Sequence, residues 1–170
     1  MKSIILIGFM GSGKTTVGKF LSEISGMPFV DTDELIEEKY KMSVSEIFEK
    51  FGEDEFRKRE EDTFKELVEK DEGYIIATGG GLPIFLKDKS LLNKGFTVYL
   101  ETDAKTIVSR LENDTTRPLL SKGNKAEKIA ELLEVRGPIY KNLAHTAING
   151  EIAPENIAKT ILLAFNNLEI

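Results

Sequence analysis

Residues 8–15 read Gly8-Phe9-Met10-Gly11-Ser12-Gly13-Lys14-Thr15 and fit the pattern G-x-x-x-x-G-K-[ST]. These residue types at this spacing suit a loop wrapped around phosphate. Glycine lets the backbone turn successive N–H groups toward one anion. Lys14 is expected to reach the β- and γ-phosphates, and the Thr15 hydroxyl to ligate Mg²⁺. Gly11, Ser12, Gly13, Lys14, Thr15 and Thr16 form the expected nucleotide-binding set. A nucleoside triphosphate is therefore the expected ligand.

Other groups could act on such a ligand. Asp31 and Asp33 flank Thr32. In an extended chain their carboxylates project from the same side, one to hold Mg²⁺ and the other to accept a hydrogen bond from a substrate hydroxyl. The competing role for Asp33 is to cap a helix beginning at Glu34. Thr78-Gly79-Gly80-Gly81 suits close approach of backbone to a ligand, or a plain turn. Arg57 has Glu53 four residues before it and Glu61 four after, a spacing that favours a surface ion-pair ladder. Phe48, Phe51 and Phe56 read as packing. Arg117, before Pro118-Leu119-Leu120, could close on the phosphates and stabilise charge during transfer. Arg110 could stack on adenine or stabilise a helix C-terminus. Arg136 could pair with a carboxylate in bidentate fashion. For each of these arginines the alternative is a solvated side chain. His145, the only histidine, reads as structural.

These residues need a scaffold. Apolar runs at 3–7, 28–30, 74–77, 96–100 and 146–148 read as strands, and helical patterns fill most gaps between them, beginning with 14–24. This alternation predicts an α/β fold, a parallel sheet with helices on both faces. Ligands in such folds sit beyond the C-terminal strand ends, where most of the singled-out residues fall. About three helical stretches separate Val30 from Tyr74. One starts at the capping box Ser43-x-x-Glu46, and Gly52 divides it from a charged helix running through Lys70. Residues 113–124 are rich in Thr, Pro, Gly and Ser and suggest a mobile lid. Gly137-Pro138 is expected to kink or interrupt the helical pattern around it.

The chain has 170 residues, enough for a single domain with a sizeable core. It has no cysteine, which excludes disulfides and thiolate metal sites. No apolar run is long enough to span a bilayer, and the first strand follows Met1 too closely for a signal peptide between them. Net charge is −6, against the basic face of a nucleic-acid binder. A soluble, cytoplasmic monomer without nucleic-acid or membrane partners is expected. The D-x-x-G and N-K-x-D patterns of small GTPases are missing: Asn93-Lys94 is followed by Gly95-Phe96, and Asn124-Lys125 by Ala126-Glu127.

Taken in order, the phosphate loop through Thr16, Asp31-Thr32-Asp33, Gly52-Glu53…Phe56-Arg57…Glu60, Gly79-Gly80-Gly81, Thr116-Arg117-Pro118-Leu119-Leu120 and Arg136-x-Pro138-x-Tyr140 resemble the shikimate kinases over nearly the whole chain. The resemblance implies a P-loop, nucleoside-monophosphate-kinase-like three-layer sandwich with five parallel strands in the order 2-3-1-4-5. Residues 1–170 would form one kinase domain, with a substrate-binding insertion at about 32–60 and a lid at about 112–124. It implies phosphorylation of the shikimate 3-hydroxyl, with ATP as co-substrate and Mg²⁺ as cofactor. In that case Lys14, Asp33 and Arg117 are catalytic. Asp33, Arg57, Gly79, Gly80, Gly81 and Arg136 bind shikimate, and Glu60 orients Arg57. Thr15 and Asp31 face the metal, and Arg110 and Arg117 face ATP. One departure is visible: no arginine follows Arg136, although many relatives carry one near the adenine. The adenine contact would rest on backbone, Pro154 and Arg110.

Overall fold

The computed structural model describes residues 2–112 and 124–168, so Arg117 and almost all of the expected lid lie outside the described residues. Five strands, β1 (Ile4–Ile7), β2 (Phe29–Asp31), β3 (Ile75–Ala77), β4 (Phe96–Glu101) and β5 (Thr146–Asn149), form one sheet in the order β2-β3-β1-β4-β5. Every pairing is parallel, and β1 at the centre pairs Ile4 with both Ile75 and Phe96. This is the order that the family resemblance implies.

Alternation along β1 builds two cores. Ile4 and Leu6 point to one face, where they pack with Val17 and Leu21 of α1 (Lys14–Ser25) and Ile157 and Ile161 of α7 (Pro154–Asn166). Ile5 and Ile7 point to the other. There they meet Phe64 and Leu67 of α3 (Val44–Val68), Leu82 of α4 (Leu82–Phe85), Ile107 of α5 (Ala104–Arg110), and Ile129 and Tyr140 of α6 (Lys125–Leu143). All four β1 side chains are completely buried. A strand covered on both faces reads as continuously apolar, which is why it shows no polar alternation.

A third, smaller cluster of Ile36, Ile47 and Phe56 joins α2 (Thr32–Tyr40) to the first half of α3. Ser43 caps α3 with a complete capping box, its Oγ accepting from the Glu46 N–H while the Glu46 carboxylate accepts from the Ser43 N–H. Gly52 interrupts the helical geometry of α3 with φ 81° and ψ 172°, a left-handed conformation that glycine adopts without a Cβ penalty. Three helical stretches thus fill the long β2–β3 connection.

Two expectations change. Helix α6 is not interrupted at Gly137-Pro138; it runs from Lys125 to Leu143 with Pro138 inside. Its buried Ile129, Arg136 and Tyr140 lie on both sides of the proline or just before it, so tertiary packing holds the turn that local propensity would break. The chain also does not stay extended from Asp31 to Asp33, because α2 begins at Thr32.

Candidate active site

The loop between β1 and α1 closes on itself, Ser12 N–H donating to Phe9 O at 3.1 Å. Gly13 then enters α1 with φ 96°, a turn that a side chain would strain. Lys14 is buried, and its Nζ donates to Gly8 O and Phe9 O, both at 2.9 Å. The loop is therefore held as an arch with the lysine across it. Thr15 Oγ1 donates to Asp31 Oδ2 at 2.8 Å. The other oxygen of that carboxylate caps α2 by accepting the Asp33 N–H at 3.0 Å. The cap is Asp31, and the Asp33 carboxyl lines the cavity beyond it.

That cavity measures about 410 Å³. Residues 11–16, Asp31, Asp33 and Thr78 line it together with Arg110, Leu111, Gly150, Pro154 and Ile157. Arg110 is the basic residue in the last turn of α5, where its charge complements the helix C-terminus. Its guanidinium donates to Gly11 O and Gly150 O, both at 3.1 Å, and so ties the phosphate loop to the turn after β5. Pro154 lines the cavity too, and Ile157 joins it from α7, whose contribution no local motif marks.

A second, smaller cavity lies alongside. Met10, Asp33, Gly79 and Gly80 line both, so a group bound in one faces a group bound in the other. Its far wall carries Arg57 and Arg136. Arg57 pairs with Glu60 at 2.8 Å and Glu53 at 3.1 Å rather than with Glu61, which accepts from the Lys87 N–H. The ladder predicted from spacing is thus half right: Arg57 turns inward, its side chain 15% exposed. Arg136 is 6% exposed, and its Nη1 is buried without a hydrogen-bond partner. A buried, unsatisfied guanidinium nitrogen costs free energy unless a ligand completes it. Phe48 and Phe56 line this cavity too, correcting the reading of them as packing alone, whereas Phe51 is half-exposed.

The triple glycine leaves room for these side chains. A Cβ on Gly79 would lie 2.6 Å from Glu60 Oε1 and 2.7 Å from Asp33 Oδ1, and one on Gly81 would collide with the Arg57 guanidinium. Thr32 Oγ1 accepts the Gly79 N–H at 2.9 Å, and Tyr140 donates its hydroxyl proton to Gly80 O at 2.6 Å. Burial pushes the Tyr140 hydroxyl up to about 12, against the lowering effect of the neighbouring Arg136. Burial likewise pushes the Glu60 carboxyl up to about 7; Arg57 opposes this and the charge of Asp33 adds to it. His145 is structural, its Nδ1 accepting the Thr97 N–H at 3.0 Å beside β5.

Among the described residues no group of three His, Cys, Asp or Glu side chains is arranged to hold a metal ion. The Thr15 hydroxyl and Asp31 carboxylate are instead a pair of hard oxygen donors beside a phosphate loop. That donor set fits Mg²⁺, which is commonly held by one or two protein oxygens together with substrate phosphates and water.

A phosphate loop after the central strand of a 2-3-1-4-5 sheet, opening onto a second cavity with its own cations, defines a P-loop kinase. A family model described as Shikimate kinase matches residues 10–166. The chain belongs to the shikimate kinase family. The shikimate kinase of Sulfurihydrogenibium sp. is 45% identical over 164 residues, covering 95% of this chain and 96% of its own. That of Thermodesulfovibrio yellowstonii is 42% identical over 171 residues, covering 99% and 97%. A structure of shikimate kinase from Acinetobacter baumannii in complex with shikimate superposes with a TM-score of 0.92 at 38% identity, covering 98% of this chain and 94% of that one. A gluconokinase from Sinorhizobium meliloti, at 19% identity and TM-score 0.61, shares the fold.

Proposed function

We propose that this chain transfers the γ-phosphoryl group of ATP to the 3-hydroxyl of shikimate, giving shikimate 3-phosphate and ADP on the route to chorismate and the aromatic amino acids. The observation that carries the reading is the pairing of Arg57 with the unsatisfied Arg136 on the wall opposite the phosphate loop. Two guanidinium groups suit a carboxylate, and the Asp33 carboxyl lies where the two cavities meet.

In this mechanism ATP lies along residues 11–16 with its base between Arg110 and Pro154. Lys14 exchanges loop carbonyls for phosphoryl oxygens and disperses charge on the transferred group. Arg57 and Arg136 grip the shikimate carboxylate, and the backbone of residues 79–81 supports the ring. Asp33 orients the attacking hydroxyl and accepts its proton as the new P–O bond forms and the bond to the ADP oxygen breaks. Glu60 holds Arg57 in place. Thr15 and Asp31 would hold Mg²⁺, which neutralises phosphate charge when bound. Arg117 adds a further cation by its position in the family motif. Positioning and charge do the catalytic work, since phosphoryl transfer asks little covalent chemistry of the protein.

The test is incubation with ATP, Mg²⁺ and shikimate, with the product identified by phosphorus NMR. Shikimate 3-phosphate with equimolar ADP is expected. Preferred phosphorylation of gluconate or of nucleoside monophosphates would reject the assignment. The protein is proposed to work as a cytoplasmic monomer on small molecules, without nucleic-acid or membrane partners; light scattering after gel filtration checks the mass. No helix among the described residues is long and apolar enough to cross a membrane.

A further inference from the structure

One large aromatic side chain near the site is neither core nor cavity lining. Phe85 ends the short helix α4, directly after the triple glycine, and is 44% exposed. Its ring centroid lies 4.3 Å from Arg57 Cζ and 5.8 Å from Arg136 Cζ. Among the described aromatic rings it alone reaches both arginines; Phe48 and Phe56 contact only Arg57, at 5.9 Å and 5.2 Å. Both Phe85 distances lie within the roughly 6 Å over which a ring face attracts a cation.

The two arginines differ in their other partners. Arg57 is paired with Glu60 and Glu53. Arg136 makes no ion pair with a carboxylate among the described residues, and its Nη1 lacks a hydrogen-bond partner. Bringing two like charges to one partly dehydrated wall is costly, and long side chains must give up rotamer freedom to stay there. A further carboxylate would offset the charge, but it would occupy the N–H donors that a ligand needs. An aromatic face attracts the cation through its quadrupole and forms no N–H···O bond, so the donor edge stays available.

From this geometry we infer that Phe85 is a positioning residue for substrate affinity, one ring holding Arg57 and Arg136 as a preorganised clamp for the carboxylate of the acceptor. The inference rests on the carboxylate-binding role proposed for the two arginines. Phe85 does not line the cavity and acts through them. Preorganisation of this kind improves binding without touching the transferred group.

The experiment compares Phe85→Leu, Phe85→Met and Phe85→Tyr with the parent enzyme. Readouts are KM for shikimate, KM for ATP, kcat and thermal midpoint, with calorimetric titration of shikimate in the absence of ATP. Phe85→Leu and Phe85→Met, which keep bulk and lose the π face, should raise KM and Kd for shikimate roughly 3- to 30-fold. kcat and KM for ATP should stay within about twofold. Phe85→Tyr should keep near-parental affinity. The analogue in which the carboxylate is reduced to a primary alcohol should bind the parent and Phe85→Leu alike. Unchanged affinity in the Leu and Met variants, an equal loss in the Tyr variant, or a parallel fall in affinity for ATP would each overturn the inference. Should the parent enzyme itself neither bind nor phosphorylate shikimate, the functional proposal fails instead, a result told apart by that control alone.

Discussion

Lys14 and Arg57 are both cations on the site, but they should fail differently. In the proposed mechanism Lys14 faces the transferred phosphate, so Lys14→Ala should lower kcat by roughly 10²- to 10³-fold while leaving KM for shikimate near its parental value. Arg57→Ala should mainly raise KM for shikimate, by about 10- to 100-fold, the scale of one lost charge-assisted bond. Steady-state kinetics with each substrate varied separately checks both. Glu60 makes a pH prediction. Its carboxyl rises from 4.5 to about 7 in the fold, chiefly because it is buried. Between those values the folded protein holds a proton that the unfolded chain releases, so this group's contribution to stability falls as pH rises through that window and stays low above it. Glu60→Gln cannot titrate there. The unfolding free energy of Glu60→Gln minus that of the parent should therefore become more positive from pH 5 to pH 8, by an amount on the order of 3 kcal/mol at most. A difference independent of pH, measured by scanning calorimetry, would contradict the burial argument.

At the scale of elements, the insertion α2–α3 brings Arg57 and Glu60 to the sheet edge. Its independent support is the Ser43–Glu46 capping box. Ser43→Ala should cost about 1 kcal/mol, a drop of roughly 2–4 °C in thermal midpoint, with kcat unchanged because Ser43 does not line either site cavity. The turn from β3 into α4 is less tolerant. A methyl group on Gly79 would press on both Glu60 and Asp33 at under 3 Å. Gly79→Ala should cut kcat/KM for shikimate by at least about 10-fold while losing only 1–3 kcal/mol of stability. Parental kinetics in a folded Gly79→Ala protein would show that the turn yields more readily than its contacts indicate. How elements meet also explains what local reading missed. Arg57 meets Glu60 across one turn, while Glu61 turns to the Lys87 N–H of another segment. Asp31 takes the cap of α2, and the Asp33 carboxyl lines the cavity. Each choice is a competition between nearly equal local options, decided by the neighbours brought up from elsewhere in the chain.

At the scale of the molecule, two cavities share Met10, Asp33, Gly79 and Gly80 across the C-terminal ends of β1 and β3. Ligands there bridge the sheet to α1, α3 and α6, so each should stabilise the whole fold. At a concentration 100-fold above its dissociation constant, either ATP with Mg²⁺ or shikimate should add about 2.7 kcal/mol, visible as a rise in thermal midpoint. Arg136→Ala should lose the response to shikimate and keep the response to ATP. Loss of both responses would point to a general collapse of the site.

The sequence by itself determined the parts of this protein whose physics is local. The phosphate loop is legible because glycine, lysine and threonine must be adjacent to wrap one anion. The strands are legible because a sheet buried on both faces requires short, wholly apolar runs, and the Ser43 cap because its two hydrogen bonds join neighbours. Tertiary structure alone decided the rest. Ile157 reaches the larger cavity from the last helix, Arg110 binds two turns 99 and 40 residues away, and Pro138 sits inside a helix that packing preserves. The pairing of Arg57 and Arg136 beneath one phenylalanine ring spans three elements. No spacing rule encodes such contacts, because burial, shared charge and excluded volume act between residues that are near only once the chain has folded.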